Sequence, residues 1–362
     1  MAIEAITTGY YLIPLPTPLS DSTHGEIPAF DLVTVRLRDS DGAEGVGYSY
    51  SVGGGGAAIR SLIERDLRPA LEGADPDRIE ALWEKMWWRT HYYGRGGAAS
   101  FAISAADIAL WDLKARRGDV PLWRLLGGHD PKVRAYAGGI DLWFDDAALK
   151  AQTEANLAKG FRAIKMKVGR PQLSEDLARV AMMRDFLDER IPLMVDANMR
   201  WTVDEALRAA RGLAERGVFW LEEPTIPDDV PGHVRILRDG GLPIATGENF
   251  HTLYEFRQMI AAGGVSFPEP DVSNCGGITV WMKVAHLAEA FNLPVTSHGV
   301  HDLHVHLLAA VPNKSFLEVH GFGLERFIAE PLTLSEGLAT APERPGHGVD
   351  FDWAALQAHA VD

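Results

Sequence analysis

Two hydrophobic rhythms run along this chain, and the change between them falls near Val133. Before it, residues 3–13, 31–38 and 45–50 have strand character, and the Asp41-Gly42 pair marks a hairpin turn between the last two. Helical spacing follows over residues 57–70, 76–89 and 98–117, the last containing Asp107-Ile108-Ala109-Leu110-Trp111-Asp112. Strands followed by helices predict an α+β unit, placed here at residues 1–128.

After Val133, short apolar runs alternate with amphipathic segments. Residues 161–168 precede 176–187, 192–196 precede 203–216, and 219–222 precede 233–238. The same order recurs in 244–247 before 253–261 and in 264–268 before 279–291, with a last run at 295–297. Repeated strand–helix units need a parallel sheet, and this many predict a closed barrel, placed at residues 129–329. The remainder, 330–362, reads as loop, with Pro342, Pro345 and glycine-rich turns.

Length agrees with this division, since 362 residues are too many for one ordinary domain and suit a barrel with a smaller partner. The formal net charge of −15 argues against a nucleic-acid partner, which needs clustered Lys and Arg. It also means that an anionic substrate must be attracted by local positive charge, from a bound divalent metal and a few lysines. Cys275 is the only cysteine, which fits a reducing compartment. Residues 1–18 carry Glu4, Pro14 and Pro16 and do not read as a signal peptide, and no apolar run approaches the roughly 18 residues of a membrane span. The cytoplasm is the expected location, with no membrane partner.

In a βα barrel the active site lies at the C-terminal ends of the strands, so polar residues there carry most weight. Asp196 ends Leu-Met-Val-Asp-Ala-Asn, Glu222 ends the Trp-Leu-Glu run, and Glu248 closes Ala-Thr-Gly-Glu-Asn. They are spaced 26 and 26 residues apart, about one strand–helix unit each, so they should converge. Clustered carboxylates repel unless a cation joins them, and Mg2+ is a hard ion that takes such oxygen ligands. Solvated loop acids are the ordinary reading of any one of them, but three in register point to a metal.

The strand before them carries Ala163-Ile164-Lys165-Met166-Lys167-Val168, whose alternation puts Lys165 and Lys167 on one face. Each lysine's charge, and the cation, are expected to depress the other's pKa towards that of a base; solvated lysines on an exposed edge are the alternative. Asp271 and His298 end later strands, where the carboxylate would fix the tautomer of the imidazole and raise its basicity. Glu318 would end the last strand, holding a protonated carboxyl against a developing oxyanion. A lone His or Glu in such places is more often structural, and these gain weight from their place in the series.

This constellation resembles the mandelate racemase subgroup of the enolase superfamily over nearly the whole chain, in which a Lys-x-Lys strand, three metal carboxylates, an Asp–His dyad and a final Glu occur in this order. The resemblance implies an α/β fold, a modified TIM (β/α)7β-type barrel with an N-terminal α+β capping domain to which the C-terminal segment returns. It implies that Asp196, Glu222 and Glu248 bind Mg2+, that Lys167 and the Asp271–His298 dyad are two acid/bases, and that Lys165 meets the substrate carboxylate. Glu318 would donate to the enediolate. A departure is Pro-Glu-Pro-Asp before Asp271, where a Gln often precedes the Pro-Asp. Segments 21–25, 92–97 and 138–142, with His298-Gly299 and Glu318-Val319-His320, are most similar to anhydro-sugar-acid cycloisomerases and to aldarate and aldonate dehydratases. The implied reaction is abstraction of the proton α to a carboxylate followed by β-elimination on a sugar acid, by a lyase or isomerase. The alternative is a 2-hydroxy-acid racemase or epimerase, and a metal-dependent carboxylate-binding protein without catalysis is a third reading that the two bases oppose. A homo-oligomer is expected by resemblance alone.

Other signals are weaker. Gly53 to Gly56 lacks the ending of a phosphate-binding loop and is expected to be a mobile loop closing over the barrel, with Tyr50 and His24 as substrate contacts. Asn198, just beyond Asp196, is a further candidate substrate contact. His301, His304 and His306 lack zinc-ligand spacing and are assigned to the helix after the seventh strand, with His301 near the substrate. Trp83, Trp87 and Trp88 suit helix packing or a subunit contact.

Overall fold

The computed structural model describes residues 1–361. Its first layer is an antiparallel sheet of β1 (Ile3–Asp21), β2 (Gly25–Asp39) and β3 (Glu44–Val52). β1 runs past its expected end through Pro14 and Pro16, because a register shift against β2 between Pro14 and Leu19 accommodates residues with no N–H to donate. The hairpin closes at Asp41-Gly42, with Gly42 at φ 87° and its N–H donating to the Asp39 carbonyl at 3.0 Å.

Helices α1 (Gly56–Leu62) and α2 (Arg68–Leu71) are joined by a π-helical turn, Ile63–Leu67. Pro69 has no N–H for the preceding turn, and the run loosens just before it. α3 (Ile79–Gly94) and α4 (Ala98–Arg117) complete this unit. Val33, Val35 and Leu37 of β2 pack with Ile63, Leu82, Ile103 and Leu110 in one core cluster. α4 approaches β3 so closely that a side chain at Gly45 or Gly47 would meet the helix backbone at Ala105 and Ala109. Trp83 stacks on Trp87 with centroids 5.5 Å apart and donates through Nε1 to the Gly276 carbonyl at 2.7 Å, which ties α3 to the barrel.

The short α5 (Leu122–Leu125) leads into the barrel: β4 (Lys132–Gly138), α6 (Asp146–Ala158), β5 (Ile164–Lys167), α7 (Leu173–Phe186), β6 (Leu193–Asp196) and α8 (Val203–Ala214). Then come β7 (Leu221–Glu222), α9 (Val230–Gly240), β8 (Ile244–Thr246), α10 (Leu253–Ala262), β9 (Phe267–Pro268), α11 (Ile278–Ala290), α12 (His301–Ala310) and β10 (Phe316–His320). β4 to β9 pair in parallel in sequence order, and β10 returns to pair in parallel with β4. The ring closes through residues 295–297, where Thr296 donates to the Pro268 carbonyl at 3.0 Å and Val295 bridges Lys314. Seven strand–helix units and a final strand give the modified (β/α)7β barrel expected. The opening pair, β4 and α6, was not resolved as a unit by the apolar pattern. Thr202 with Glu205, and Thr252 with Glu255, form capping boxes that start α8 and α10 at their observed positions.

After the barrel, β11 (Leu334–Ser335) and β12 (Leu338–Thr340) form a small hairpin, and β12 adds antiparallel to β4, so this stretch is less loop-like than expected. The chain then reaches α13 (Trp353–Gln357) and runs back along β1, where Leu12 donates to the His359 carbonyl at 3.0 Å and Val361 to that of Tyr10 at 2.9 Å. Among the described residues no helix is long and apolar enough to cross a membrane.

Candidate active site at the barrel mouth

Alternation along each strand divides the barrel interior into an apolar floor and a polar mouth. Tyr136, Ala163, Met194, Trp220, Ala245 and Phe316 form one buried cluster, with Trp220 packed 5.0 Å from Phe267 between ring centroids. Two residues further along the same faces stand Lys165, Asp196, Glu222 and Glu318. The strand that supplies floor packing thus also aims a functional group, and a slip of one residue would turn both outward.

At the mouth, Asp196, Glu222 and Glu248 each offer a carboxylate oxygen, all within 4.8 Å of one another. Asp196 and Glu222 are fully buried, and Glu248 Oε2 is buried without a hydrogen-bond partner. Burial pushes the Glu222 and Glu248 carboxyls upward, and the neighbouring carboxylates add to it. Three hard oxygen donors, one of them unsatisfied, fit a divalent cation of the magnesium class.

Lys165 and Lys167 are buried beside this set. Lys165 Nζ pairs with Glu222, lies 2.7 Å from Glu318 Oε1 and 3.6 Å from Asp196 Oδ2. Lys167 Nζ pairs with Asp196. Burial pulls both ammoniums down, but Glu222 and Glu318 with Asp196 outweigh it at Lys165, and Asp196 with Glu248 and Glu222 outweighs it at Lys167, so both are held above the ordinary lysine value. The protein's own charges therefore do not produce the expected depression, which falls to the cation. The lysines face more negative than positive charge, and carboxylates engaged by a cation would release that hold.

His298 Nδ1 lies 2.9 Å from Asp271 Oδ2. Asp271 is kept ionised, because His298 and Ser273 outweigh its burial, so Nδ1 donates and Nε2 faces the site. Nε2 lies 3.4 Å from Glu248 Oε2 and 3.9 Å from Glu318 Oε2. Burial lowers the imidazole, but Glu248, Glu318 and Asp271 together raise it to about 10. Glu318 is likewise ionised in this arrangement: burial pushes it up, but Lys165 and His298 bring it well below the usual carboxylate range. The neutral Glu318 carboxyl expected from the sequence is therefore not found beside a charged Lys165.

The candidate substrate contacts divide. Tyr50 is buried, its hydroxyl donating to Asp271 Oδ2 at 3.1 Å and lying 3.3 Å from His298 Nδ1, so it braces the dyad from below. His24 stands over the mouth, its Nδ1 2.8 Å from Asp21, and this hydrogen bond raises its pKa. Ser22 donates to the Ala197 carbonyl at 2.7 Å and Thr23 to that of Asn198, so the β1–β2 turn is fastened to the barrel rim. Asn198 has φ 42°, followed by Met199 at 62°, and its side-chain oxygen is buried without a partner. His301 begins α12 as expected, its Nε2 3.4 Å from Asp302, and lines a pocket with Tyr50, His320 and Phe322. Gly53, Gly54 and Gly55 form a positive-φ turn, with φ 77°, 116° and 104°.

Five buried residues around the site carried no individual assignment from the sequence. Asp141 Oδ1 accepts from Lys167 N at 3.0 Å, while Arg179 donates to the carbonyls of Lys167 and Asp141, so the pair fixes the lysine strand. Glu269, the departure in Pro-Glu-Pro-Asp, is fully buried, accepts from the Tyr136 hydroxyl at 3.2 Å and is driven well upward by burial. Glu223 is buried and pushed up in the same way, and His320 has neither ring nitrogen partnered. The Trp-Leu-Glu-Glu and Phe-Leu-Glu-Val-His runs were the available signals for the last two.

Residues 8–127 match the mandelate racemase / muconate lactonizing enzyme N-terminal domain, and residues 148–355 match the enolase C-terminal domain-like family. The chain is 58% identical over 359 residues to a 3,6-anhydro-alpha-L-galactonate cycloisomerase from Streptomyces coelicolor, covering 99% of both chains. It is 35% identical over 356 residues to the L-talarate/galactarate dehydratase of Salmonella typhimurium, covering 96% of this chain and 88% of that one. Among solved structures, a Streptomyces coelicolor racemase with bound magnesium superimposes with a TM-score of 0.98 at 57% identity, covering 99% of this chain and 100% of that one. L-talarate dehydratase from Polaromonas, complexed with Mg and L-glucarate, gives 0.94 at 34% identity, covering 100% and 98%.

Proposed function

Because the chain belongs to the mandelate racemase / muconate lactonizing enzyme family of the enolase superfamily, we propose that it is a magnesium-dependent enzyme that takes the α-proton from a sugar acid and expels its β-oxygen. The observation that carries this reading is the convergence of three carboxylates within 4.8 Å, flanked by a lysine pair on one side and an Asp–His pair on the other. The 58% identity to an anhydro-galactonate cycloisomerase favours a ring ether as the leaving group; dehydration of an open-chain acid is the neighbouring possibility among its relatives.

Asp196, Glu222 and Glu248 would hold the ion, which when bound supplies positive charge against the substrate carboxylate and so lowers the cost of removing its α-proton. Lys165 orients that carboxylate. With Asp196 engaged, Lys167 loses the charge that keeps it protonated and takes the proton from C2. The electron pair left at C2 forms the C2–C3 double bond as the C3–O bond breaks, and His298 Nε2, steadied through Nδ1 by Asp271, delivers a proton to the departing oxygen. In a 3,6-anhydro acid that oxygen stays on C6 as a hydroxyl, and the enol takes up a proton at C3 to give a 2-keto-3-deoxy acid, so the net change is an isomerisation. Glu318 stands beside the developing enediolate oxygen through Lys165.

A screen of aldonates, aldarates and anhydro-aldonates with Mg2+ tests this. The expected hit is a 2-keto-3-deoxy acid whose formation is lost in Lys167→Ala and in His298→Asn. In D2O, His298→Asn should still exchange the α-proton through Lys167, while Lys167→Ala should not. Exchange without elimination in the wild type would move the assignment to racemisation, which the same two bases also permit.

A further inference from the structure

We propose that the barrel mouth holds a second metal site, distinct from the three carboxylates, in which His298 Nε2, Glu318 and His320 take a zinc-class transition ion. One ligand atom from each lies within 4.8 Å of the other two. Glu318 and His320 are two residues apart on β10, so alternation sends both side chains to the same face. His320 is only 7% exposed, yet neither of its ring nitrogens has a hydrogen-bond partner. A buried imidazole without a partner is costly unless something else engages it.

The surroundings suit a metal. His298 already gives Nδ1 to Asp271 at 2.9 Å, the carboxylate–histidine arrangement that fixes a ligating ring and turns Nε2 to the site, where a metal would displace its proton. Glu318 Oε2 accepts from Gly299 N at 2.9 Å and lies 3.9 Å from His298 Nε2. Zinc bonds of about 2.0–2.2 Å in a tetrahedral site place ligand atoms about 3.3 Å apart, so closing the set needs at most about 1.5 Å of side-chain adjustment. Two histidines and one glutamate leave a fourth position open.

The two neighbouring sites differ in donor chemistry. The oxygen set of Asp196, Glu222 and Glu248 suits Mg2+, whereas two imidazoles and a carboxylate favour Zn2+, Ni2+ or Cu2+. Zinc at the second site takes the lone pair of His298 Nε2, and excess Mg2+ does not compete for it. Zinc should therefore inhibit without relief by magnesium. That consequence rests on the function proposed above, whereas binding itself does not.

Equilibrium dialysis against Zn2+ in a large excess of Mg2+, followed by metal analysis, tests the binding directly. One zinc per chain is expected to remain, bound more than about tenfold more weakly in His320→Gln and unchanged in Asp196→Asn. No retained zinc, retention unaffected by His320→Gln, or loss confined to Asp196→Asn would each overturn the proposal. Should His320→Gln fail to fold, Co2+ replaces Zn2+ on the wild-type chain under the same excess of Mg2+. An intense visible band from nitrogen-bound cobalt of low coordination number supports the site; only the faint band of six-coordinate oxygen-bound cobalt overturns it.

Discussion

Asp271 reaches the chemistry only through His298, accepting its Nδ1–H at 2.9 Å while being braced by Ser273 and Tyr50. Asp271→Asn should lower kcat by about 10²–10⁴-fold with little change in KM, because the imidazole loses its orientation and tautomer but substrate contacts remain. Tyr50→Phe removes one of several bonds to the same carboxylate and should cost about tenfold or less. Steady-state kinetics on both variants checks the order of the two effects. At this scale the sequence was informative about which residues meet, because strand alternation and unit spacing place Lys165, Asp196, Glu222, Asp271, His298 and Glu318 at one end of the barrel. It said less about the balance of charge. Whether a lysine is driven up or down depends on how many carboxylates surround it in space, and Lys165 sits among Glu222, Glu318 and Asp196. The partnerless state of His320 and the Asp141–Arg179 clamp also depend on contacts between distant segments.

At the level of elements, the capping sheet depends on close backbone approach between β3 and α4. A methyl group at Gly47 would run into the Ala105 carbonyl and the Ala109 amide, neither of which can rotate away. Gly47→Ala should therefore destabilise the protein by about 2 kcal/mol or more, measured as a fall in the urea midpoint. Gly42→Ala, at a turn with φ 87° but open space around it, should cost only the strain of its backbone, about 1 kcal/mol. The strand–helix rhythm was readable wherever amphipathic helices such as α8 follow short apolar runs. It failed at β4, whose run Val-Arg-Ala-Tyr-Ala-Gly mixes small and polar residues, and at the π-helical turn before Pro69. The stretch 295–297 reads as a strand but makes only one bridge, because its hydrogen bonds go to isolated carbonyls on either side.

For the whole molecule, buried histidines contribute a loss of stability in acid. His306 is fully buried, its Nδ1 accepting from Trp123 N at 3.3 Å, and burial with neighbouring His347 and Arg344 lowers it to about 3. The unfolded chain binds this proton near pH 6.5 and the folded one only near pH 3, so the contribution is full above about pH 6.5 and is lost as pH falls towards 3. His304, lowered by burial to about 4, acts in the same direction over a narrower window. Between about pH 6 and pH 4, where buried carboxyls with raised values act in the opposite direction, His306→Gln should remove about 1.4 kcal/mol per pH unit of acid destabilisation, read from urea midpoints of both proteins. A net charge of −15 works against an anionic substrate, so the lysines and the ion at the mouth must supply the attraction that the surface does not.

Proton abstraction coupled to loss of a β-oxygen leaves an isotopic signature that one NMR experiment reads. Purified protein with Mg2+ is followed on 3,6-anhydro-galactonate in D2O. A 2-keto-3-deoxy acid with one deuterium at C3 is expected, formed only when the divalent ion is present. Recovery of 3,6-anhydro-galactonate and the other sugar acids with no keto product and no deuterium at C2 would contradict that coupling.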